Sequence, residues 1–93
     1  MLNIPNQQSV IDFYGKKIQS TIAMEECAEL IQAISKLIRY SADKVMLGDN
    51  ITEEIADVLI CIEQLKLMYK IDDKAIQKWI DYKCQRQVER MEE

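Results

Sequence analysis

Residues that break helices are almost absent from this sequence. The 93 residues include two Gly and one Pro, and the Pro is at position 5, so little after the N-terminus interrupts a helix. Strands are not indicated, because no alternating run of β-branched residues lies between turn residues. The sequence therefore predicts an all-α protein.

The chain length allows one domain, which we assign to residues 1–93. Hydrophobic residues make up 48% of the chain and charged residues 30%, which is a globular composition. A domain of this size buries a limited fraction of its surface. We therefore expect a bundle of about four helices that is completed by a homodimer or homotetramer.

Apolar periodicity predicts where these helices lie. The predicted helices span residues 6–14, 16–39 and 52–69, and Asp72 and Asp73 cap a fourth. Gly15 is expected as a joint, and residues 41–50 as a connection with room for one helical turn. The third helix is apolar on two sides, which again indicates a partner subunit. The fourth helix is expected to face inward through Ile76, Trp79, Ile80, Cys84, Val88 and Met91.

Charge and composition exclude several classes of function. The net charge is −4 and no basic stripe occurs, so nucleic acid is not an expected partner. Residues 1–5 lack the features of a signal peptide, and the longest apolar run covers only residues 58–62, so no membrane partner is expected. Cys27, Cys61 and Cys84 are widely spaced and fit reduced core residues. A cytoplasmic location fits these features best.

Two clusters of carboxylates lie inside apolar helical runs. They are Glu25-Glu26-x-x-Glu29 in the second predicted helix and Glu54-x-x-Asp57 in the third. Facing residues of an antiparallel helix pair have numbers with a constant sum, and both Glu26 with Asp57 and Glu29 with Glu54 add to 83. A hairpin that turns near residues 41–42 would therefore bring these four carboxylates together.

Four carboxylates without a histidine select a hard cation. The chain has no His, which excludes a di-iron carboxylate site of the Glu-x-x-His type. Oxygen ligands favour Mg²⁺, with Mn²⁺ as a substitute, and Mg²⁺ in such sites takes up substrate phosphates. The alternative, that the acids form ion pairs with Lys or Arg across the helices, stays open at this point.

Other polar residues near these runs are candidates for substrate binding. Lys83 falls on the apolar side of the fourth helix and either snorkels to the surface or holds a phosphate, with Arg86 at the border of the same face. Lys36 follows Glu29 by two turns and is a weaker candidate for the same role. Gln19 precedes Glu26 by about two turns and is a candidate for lining a nucleobase pocket.

The spacing of these acids resembles a known family. The sequence resembles the MazG-like branch of the all-α nucleoside triphosphate pyrophosphohydrolases. The acidic motifs that carry the resemblance are Glu25-Glu26-x-x-Glu29 and Glu54-Ile55-Ala56-Asp57-Val58. The flanking motifs are Tyr14-Gly15-Lys16-Lys17-x-Gln19 before them and Lys83-x-x-Arg86-Gln87-x-x-Arg90 after them. The resemblance covers residues 6–91.

The resemblance implies a function and its residues. Glu26, Glu29, Glu54 and Asp57 would ligate Mg²⁺, and Glu25 would orient a water. The reaction would cleave a nucleoside triphosphate between its α- and β-phosphates to give the monophosphate and pyrophosphate, in a dimer or tetramer. The alternatives are a phosphoribosyl-ATP pyrophosphatase-like enzyme and a non-catalytic helical module for interaction or nucleotide binding.

Overall fold

The computed structural model describes residues 2–40 and 44–92 and is all-α over these residues. Its helices are α1 (Gln7–Tyr14), α2 (Lys16–Arg39), α3 (Lys44–Tyr69) and α4 (Asp73–Met91). The predicted fold class is thus confirmed, and the predicted bounds of α2 agree with the observed ones. The predicted turn near residues 41–42 lies outside the described residues.

The helix α3 begins earlier than predicted. Residues 44–50, which were expected to connect two helices, are its first turns. They include Lys, Met and Leu, which are good helix formers, and the cost of one Gly at about 1 kcal/mol does not stop a helix that continues for many residues. The predicted start of α3 at residue 52 was therefore too late, because one Gly and a few polar residues do not end a helix.

Helices α2 and α3 form an antiparallel pair, and α1 packs against both. Gln19 on α2 hydrogen-bonds Gln64 on α3, and the numbers of these two residues also add to 83. Ser20 and Tyr69 share a hydrogen bond of 2.7 Å between their hydroxyl groups. The predicted register of the hairpin is therefore the one that the structure adopts.

The core of this unit is small. Its buried apolar residues are Ile11, Ala23, Ala33 and Cys61. Alanines at the interface allow α2 and α3 to approach closely, which brings the carboxylates of one helix near those of the other. Cys27 and Cys84 are exposed, so the expectation of core cysteines is right only for Cys61.

Helix α4 does not face inward. It has no buried residue, and Trp79 is 62% and Met91 82% exposed. Its start is attached to α3 by Lys66 Nζ, which lies 2.7 Å from Asp73 Oδ1. The prediction of an inward face was wrong for the single chain, because apolar periodicity shows which side of a helix avoids water but not which surface covers it.

The two joints next to α1 and α3 use left-handed backbone. Gly15 has φ of +94° between α1 and α2, which confirms it as a joint, since a side chain there would be strained. Lys70 has φ of +54° after α3, and the Ile71 N–H donates to the Lys66 carbonyl at 3.0 Å. This 6→1 bond is typical of a Schellman motif, in which Gly is the usual residue at the position of Lys70.

Candidate metal centre

Helices α2 and α3 bring four carboxylates to one point. Glu26 and Glu29 come from α2, and Glu54 and Asp57 come from α3. The i, i+3 spacing places both members of each pair on one face of their helix, and the antiparallel register places the two faces opposite each other. One oxygen from each of the four residues lies within 4.8 Å of the others.

The carboxylates of Glu26 and Glu54 are partly withdrawn from solvent. One oxygen of each, Oε2, is buried and has no hydrogen-bond partner among the described residues. Buried acceptors without a partner are rare in native proteins, because losing water without a replacement hydrogen bond is unfavourable. These two oxygens therefore indicate that the cluster takes a partner with positive charge or with a proton to donate.

The electrostatics of the cluster point the same way. The pKa of Glu26 is raised from 4.5 to about 7, first by burial, then by a hydrogen bond with Glu29, and then by the negative charges of Glu29, Asp57 and Glu54. The pKa of Glu54 is raised by burial and by the charges of Glu29, Asp57 and Glu53. Both shifts mean that negative charge is unfavourable here without a cation.

Ion pairs with basic residues do not account for the cluster. Among the side chains that the structure describes, those of residues 2–40 and 50–92, the ion pairs join Lys66 to Glu63 and to Asp73, at 3.1 and 2.7 Å, and none includes the four clustered acids. The alternative of interhelical salt bridges is thus not supported over the part of the chain that the structure describes.

The arrangement of oxygens is compatible with a divalent cation. Ligands on opposite sides of an octahedral Mg²⁺ ion lie about 4.2 Å apart, since each Mg–O distance is about 2.1 Å. The oxygens of the cluster span up to 4.8 Å, so a small inward rotation of the carboxylates would complete such a site. Carboxylate oxygens are also the donors that Mg²⁺ and Mn²⁺ prefer.

A small cleft opens beside the cluster and is lined from both helices. It has a volume of about 120 Å³, and its walls are Gln19, Ile22, Glu26, Asp57, Ile60, Cys61 and Gln64. The thiol of Cys61 has a raised pKa because of burial first, and then because of Glu26, Cys27 and Asp57. The cleft is thus polar at both ends, and Ile22 and Ile60 contribute apolar wall between them.

A chain of three amides supports one end of this cleft. Gln19 Nε2 donates to Gln64 Oε1 at 3.1 Å, and Gln64 Nε2 donates to Gln7 Oε1 at 2.7 Å. Gln7 Nε2 then donates to the carbonyl oxygen of Pro5 at 2.8 Å. Gln19 is 4% and Gln64 3% exposed, so this chain is part of the interior.

The sequence predictions did not find Gln64 and Gln7. A signal for Gln64 was present, because its number adds to 83 with that of Gln19, as the facing acids do. Gln7 gave no such signal, since its contact depends on how α1 folds back over the hairpin.

The remaining predicted site residues lie outside the cluster. Glu25 is exposed and adjacent in sequence to Glu26, and Lys36 is exposed in the last turns of α2. Lys83 and Arg86 are on α4, where their cations lie 5.7 Å from the centre of the Trp79 ring and 5.6 Å from that of Tyr82. The described contacts of these two cations are therefore within α4, and the single chain does not bring them to the carboxylates.

No protein-family model, curated protein or solved structure matches this chain. The resemblance to the pyrophosphohydrolases consequently stays a prediction. Within the described residues, no helix combines the length and the apolar character needed to cross a membrane.

Proposed function

We propose that this protein is a Mg²⁺-dependent pyrophosphohydrolase that cleaves a nucleoside triphosphate between its α- and β-phosphates. The observation that carries the proposal is the cluster of four carboxylates within 4.8 Å, two of which have a buried oxygen without a partner. A protein that used these acids only on its surface would have no reason to withdraw those oxygens from water.

The cluster has a defined role in this proposal. Glu26, Glu29, Glu54 and Asp57 would hold Mg²⁺, or Mn²⁺ in its place, and a bound ion of this kind neutralises phosphate charge and lowers the pKa of water. Glu25 is exposed and precedes Glu26 in the chain, and it would orient the attacking water through its carboxylate. The water oxygen would bond to the α-phosphorus, and the bridging oxygen would leave with pyrophosphate.

The raised pKa of Glu26 bears on whether this residue binds metal or transfers a proton. A carboxylate with a pKa of about 7 exchanges a proton near neutral pH. A bound cation would offset the negative charges around Glu26 and favour its deprotonated form. We assign Glu26 to metal binding because its unpartnered oxygen lies in the cluster.

The cationic residues would act in an assembly. We propose that Lys83 and Arg86 bind substrate phosphates when α4 of one copy covers the acidic face of another, with Lys36 in a supporting role. The support is that α4 carries these cations beside exposed Trp79, Ile80 and Tyr82, while the acidic cluster is half-exposed. Charge complementarity of this kind favours pairing of the two surfaces.

The decisive experiment measures pyrophosphate release from a panel of ribo- and deoxynucleoside triphosphates, with and without Mg²⁺. We expect metal-dependent release from at least one of them and no release in EDTA. A folded protein that is silent across the panel would refute the proposal, and activity on phosphoribosyl-ATP alone would favour that alternative instead.

A matched pair of variants assigns the activity to the cluster. Glu54→Gln removes one ligand charge with almost no change in shape, and we expect at least a 100-fold loss of activity, since the ligand acts directly on the metal. Glu53→Gln makes the same change at the exposed neighbouring position and should retain activity within about two-fold. Equal effects of the two variants would contradict the assignment.

A further inference from the structure

Three glutamine side chains next to the cluster form a chain of hydrogen bonds. Which end of each amide donates and which accepts is determined by one atom, the carbonyl oxygen of Pro5. The carbonyl oxygen of Pro5 accepts a hydrogen bond from Gln7 at 2.8 Å, and a carbonyl oxygen has no proton to donate. Gln7 must therefore turn its NH₂ group to Pro5 and its Oε1 to Gln64. The opposite orientation would place two oxygens against each other.

The same argument passes along the chain. Because Gln7 presents an oxygen, Gln64 must present its NH₂ group to Gln7 and its oxygen to Gln19. Gln19 must then present its NH₂ group to Gln64, so the group left over is the carbonyl oxygen Oε1. This atom is buried and has no hydrogen-bond partner among the described residues, and its side chain lines the cleft.

The surroundings of Gln19 restrict what could bind this oxygen. Glu26 and Asp57 line the same cleft, so a phosphate would be repelled from it. Ile22 and Ile60 offer apolar surface of the kind that a flat ring covers well. Gln19 and Glu26 are seven residues apart on α2, about 10 Å along the axis, which suits a nucleoside between the phosphate site and the amide.

We propose that Gln19 Oε1 reads an N–H donor on the base of the bound nucleotide, and that Gln64, Gln7 and Pro5 hold it in the accepting orientation. This inference rests on the proposed function, which supplies the nucleotide. Gln19 is the contact residue, whereas Gln64 and Gln7 are positioning residues. A base without a donor at its hydrogen-bonding edge leaves the buried oxygen unpaired and binds more weakly.

The test uses paired ligands that differ in a single donor. The probes are the α,β-methylene triphosphates of cytidine and of its analogue pyrimidin-2-one riboside, and those of adenosine and of purine riboside, titrated calorimetrically in Mg²⁺. In each pair the second member lacks the exocyclic amino group. For at least one pair we expect the ligand without the donor to bind roughly 10- to 100-fold more weakly.

Two variants then assign the effect. Gln19→Met keeps the length of the side chain but removes the acceptor, and it should bring the two members of the pair within about two-fold of each other. Gln7 does not line the cleft, but Gln7→Met removes the oxygen that fixes the amide orientation of Gln64 and thereby of Gln19. The preference for the ligand with the amino group should therefore become smaller. A preference that survives in Gln19→Met would overturn the role of Gln19, and one that is unchanged in Gln7→Met would overturn the control of its orientation.

The outcomes separate this inference from the proposed function. If none of the four nucleotides binds in Mg²⁺, the inference fails, whereas pyrophosphate release from the full panel of triphosphates decides the proposed function separately. If they bind and both members of each pair bind equally, only the inference fails, and water is the partner of Gln19. Should Gln19→Met not fold, the comparison of ligands on the wild-type protein still decides between these outcomes.

Discussion

Glu26 and Glu54 are the side chains whose surroundings differ most from those of ordinary acids on a helix. Each turns one oxygen inward without a partner, and each lies among like charges. Their positions cost free energy in the metal-free protein, and a bound cation would remove that cost. Two predictions about thermal stability follow from these two carboxylates, and neither requires that the protein be an enzyme.

The first concerns pH. Because the pKa of Glu26 is raised from 4.5 to about 7 in the folded protein, the folded state holds this proton more tightly than the unfolded state. The stabilisation is complete below about pH 4.5 and is lost as pH rises towards 7. We expect the Tm of the metal-free protein, measured in EDTA, to fall over this window.

Glu26→Gln is the control for this effect, because glutamine does not titrate. The fall in Tm between pH 4.5 and 7 should become smaller in that variant. An equally steep fall would mean that other groups cause the pH dependence.

The second prediction concerns metal binding. A ligand that binds only the native state stabilises it by mass action, so millimolar Mg²⁺ should raise the Tm of the wild-type protein at pH 8. Glu54→Gln should raise the Tm in EDTA, because one unfavourable charge is gone, and should weaken the response to Mg²⁺. A Mg²⁺ response as large as that of the wild type would contradict the placement of Glu54 in the site.

At the scale of elements, the α2–α3 hairpin is what creates the site. Its register pairs Gln19 with Gln64 and places the acids of one helix opposite those of the other. A shift of one residue between the helices would rotate the facing side chains by about 100° and separate the carboxylates. Ala23 and Ala33 are both buried on α2, so such a shift would also expose part of the small apolar core.

The backbone conformation at the end of α3 leads to a prediction about stability. Lys70 has a left-handed backbone conformation in a Schellman motif, which costs a non-glycine residue about 1 kcal/mol. Lys70→Gly should therefore stabilise the protein by about 0.5–1 kcal/mol and raise its Tm by a few degrees. Lys70→Ala removes the same side chain but keeps the strain, so it should not stabilise, and equal gains in both variants would contradict this explanation.

At the scale of the whole molecule, the single chain is too open for its mass. Its accessible surface is 7674 Å², against about 5,600 Å² for a compact monomer of 10.9 kDa. Its radius of gyration is 16.2 Å, against about 12 Å for a compact domain of this length. The excess surface of roughly 2,000 Å² per chain is on the scale of what obligate homodimers bury.

We therefore expect the protein to form a homo-oligomer in solution, with a mass at least twice the 10.9 kDa of one chain. Trp79→Glu places a charge in the exposed apolar side of α4 and should shift the protein towards the monomer in light scattering after size exclusion. Gln85→Glu adds the same charge at a polar, exposed position of α4 and should leave the mass unchanged. A wild-type mass of 10.9 kDa at tens of micromolar would contradict the expectation.

Much of this architecture was predictable from local patterns. The scarcity of Gly and Pro indicated helices throughout, the bounds of α2 followed from apolar periodicity, and Asp72 was recognised as a cap of α4. The convergence of the four acids was predictable as well, because an antiparallel pair has a single register parameter. Since both acid pairs have the same i, i+3 spacing, one register brings all four carboxylates together. Such features depend on residues that are near in sequence or on one geometric constant.

Other features required the folded chain. The amide chain from Pro5 to Gln19 depends on how α1 folds back over the hairpin, and the buried oxygens of Glu26 and Glu54 depend on side-chain packing between two helices. The position of α4 away from the core was likewise not predictable. Apolar periodicity in a sequence shows which face of a helix is unfavourable in water. The surface that covers this face depends on contacts between residues far apart in the chain, which the sequence pattern does not contain.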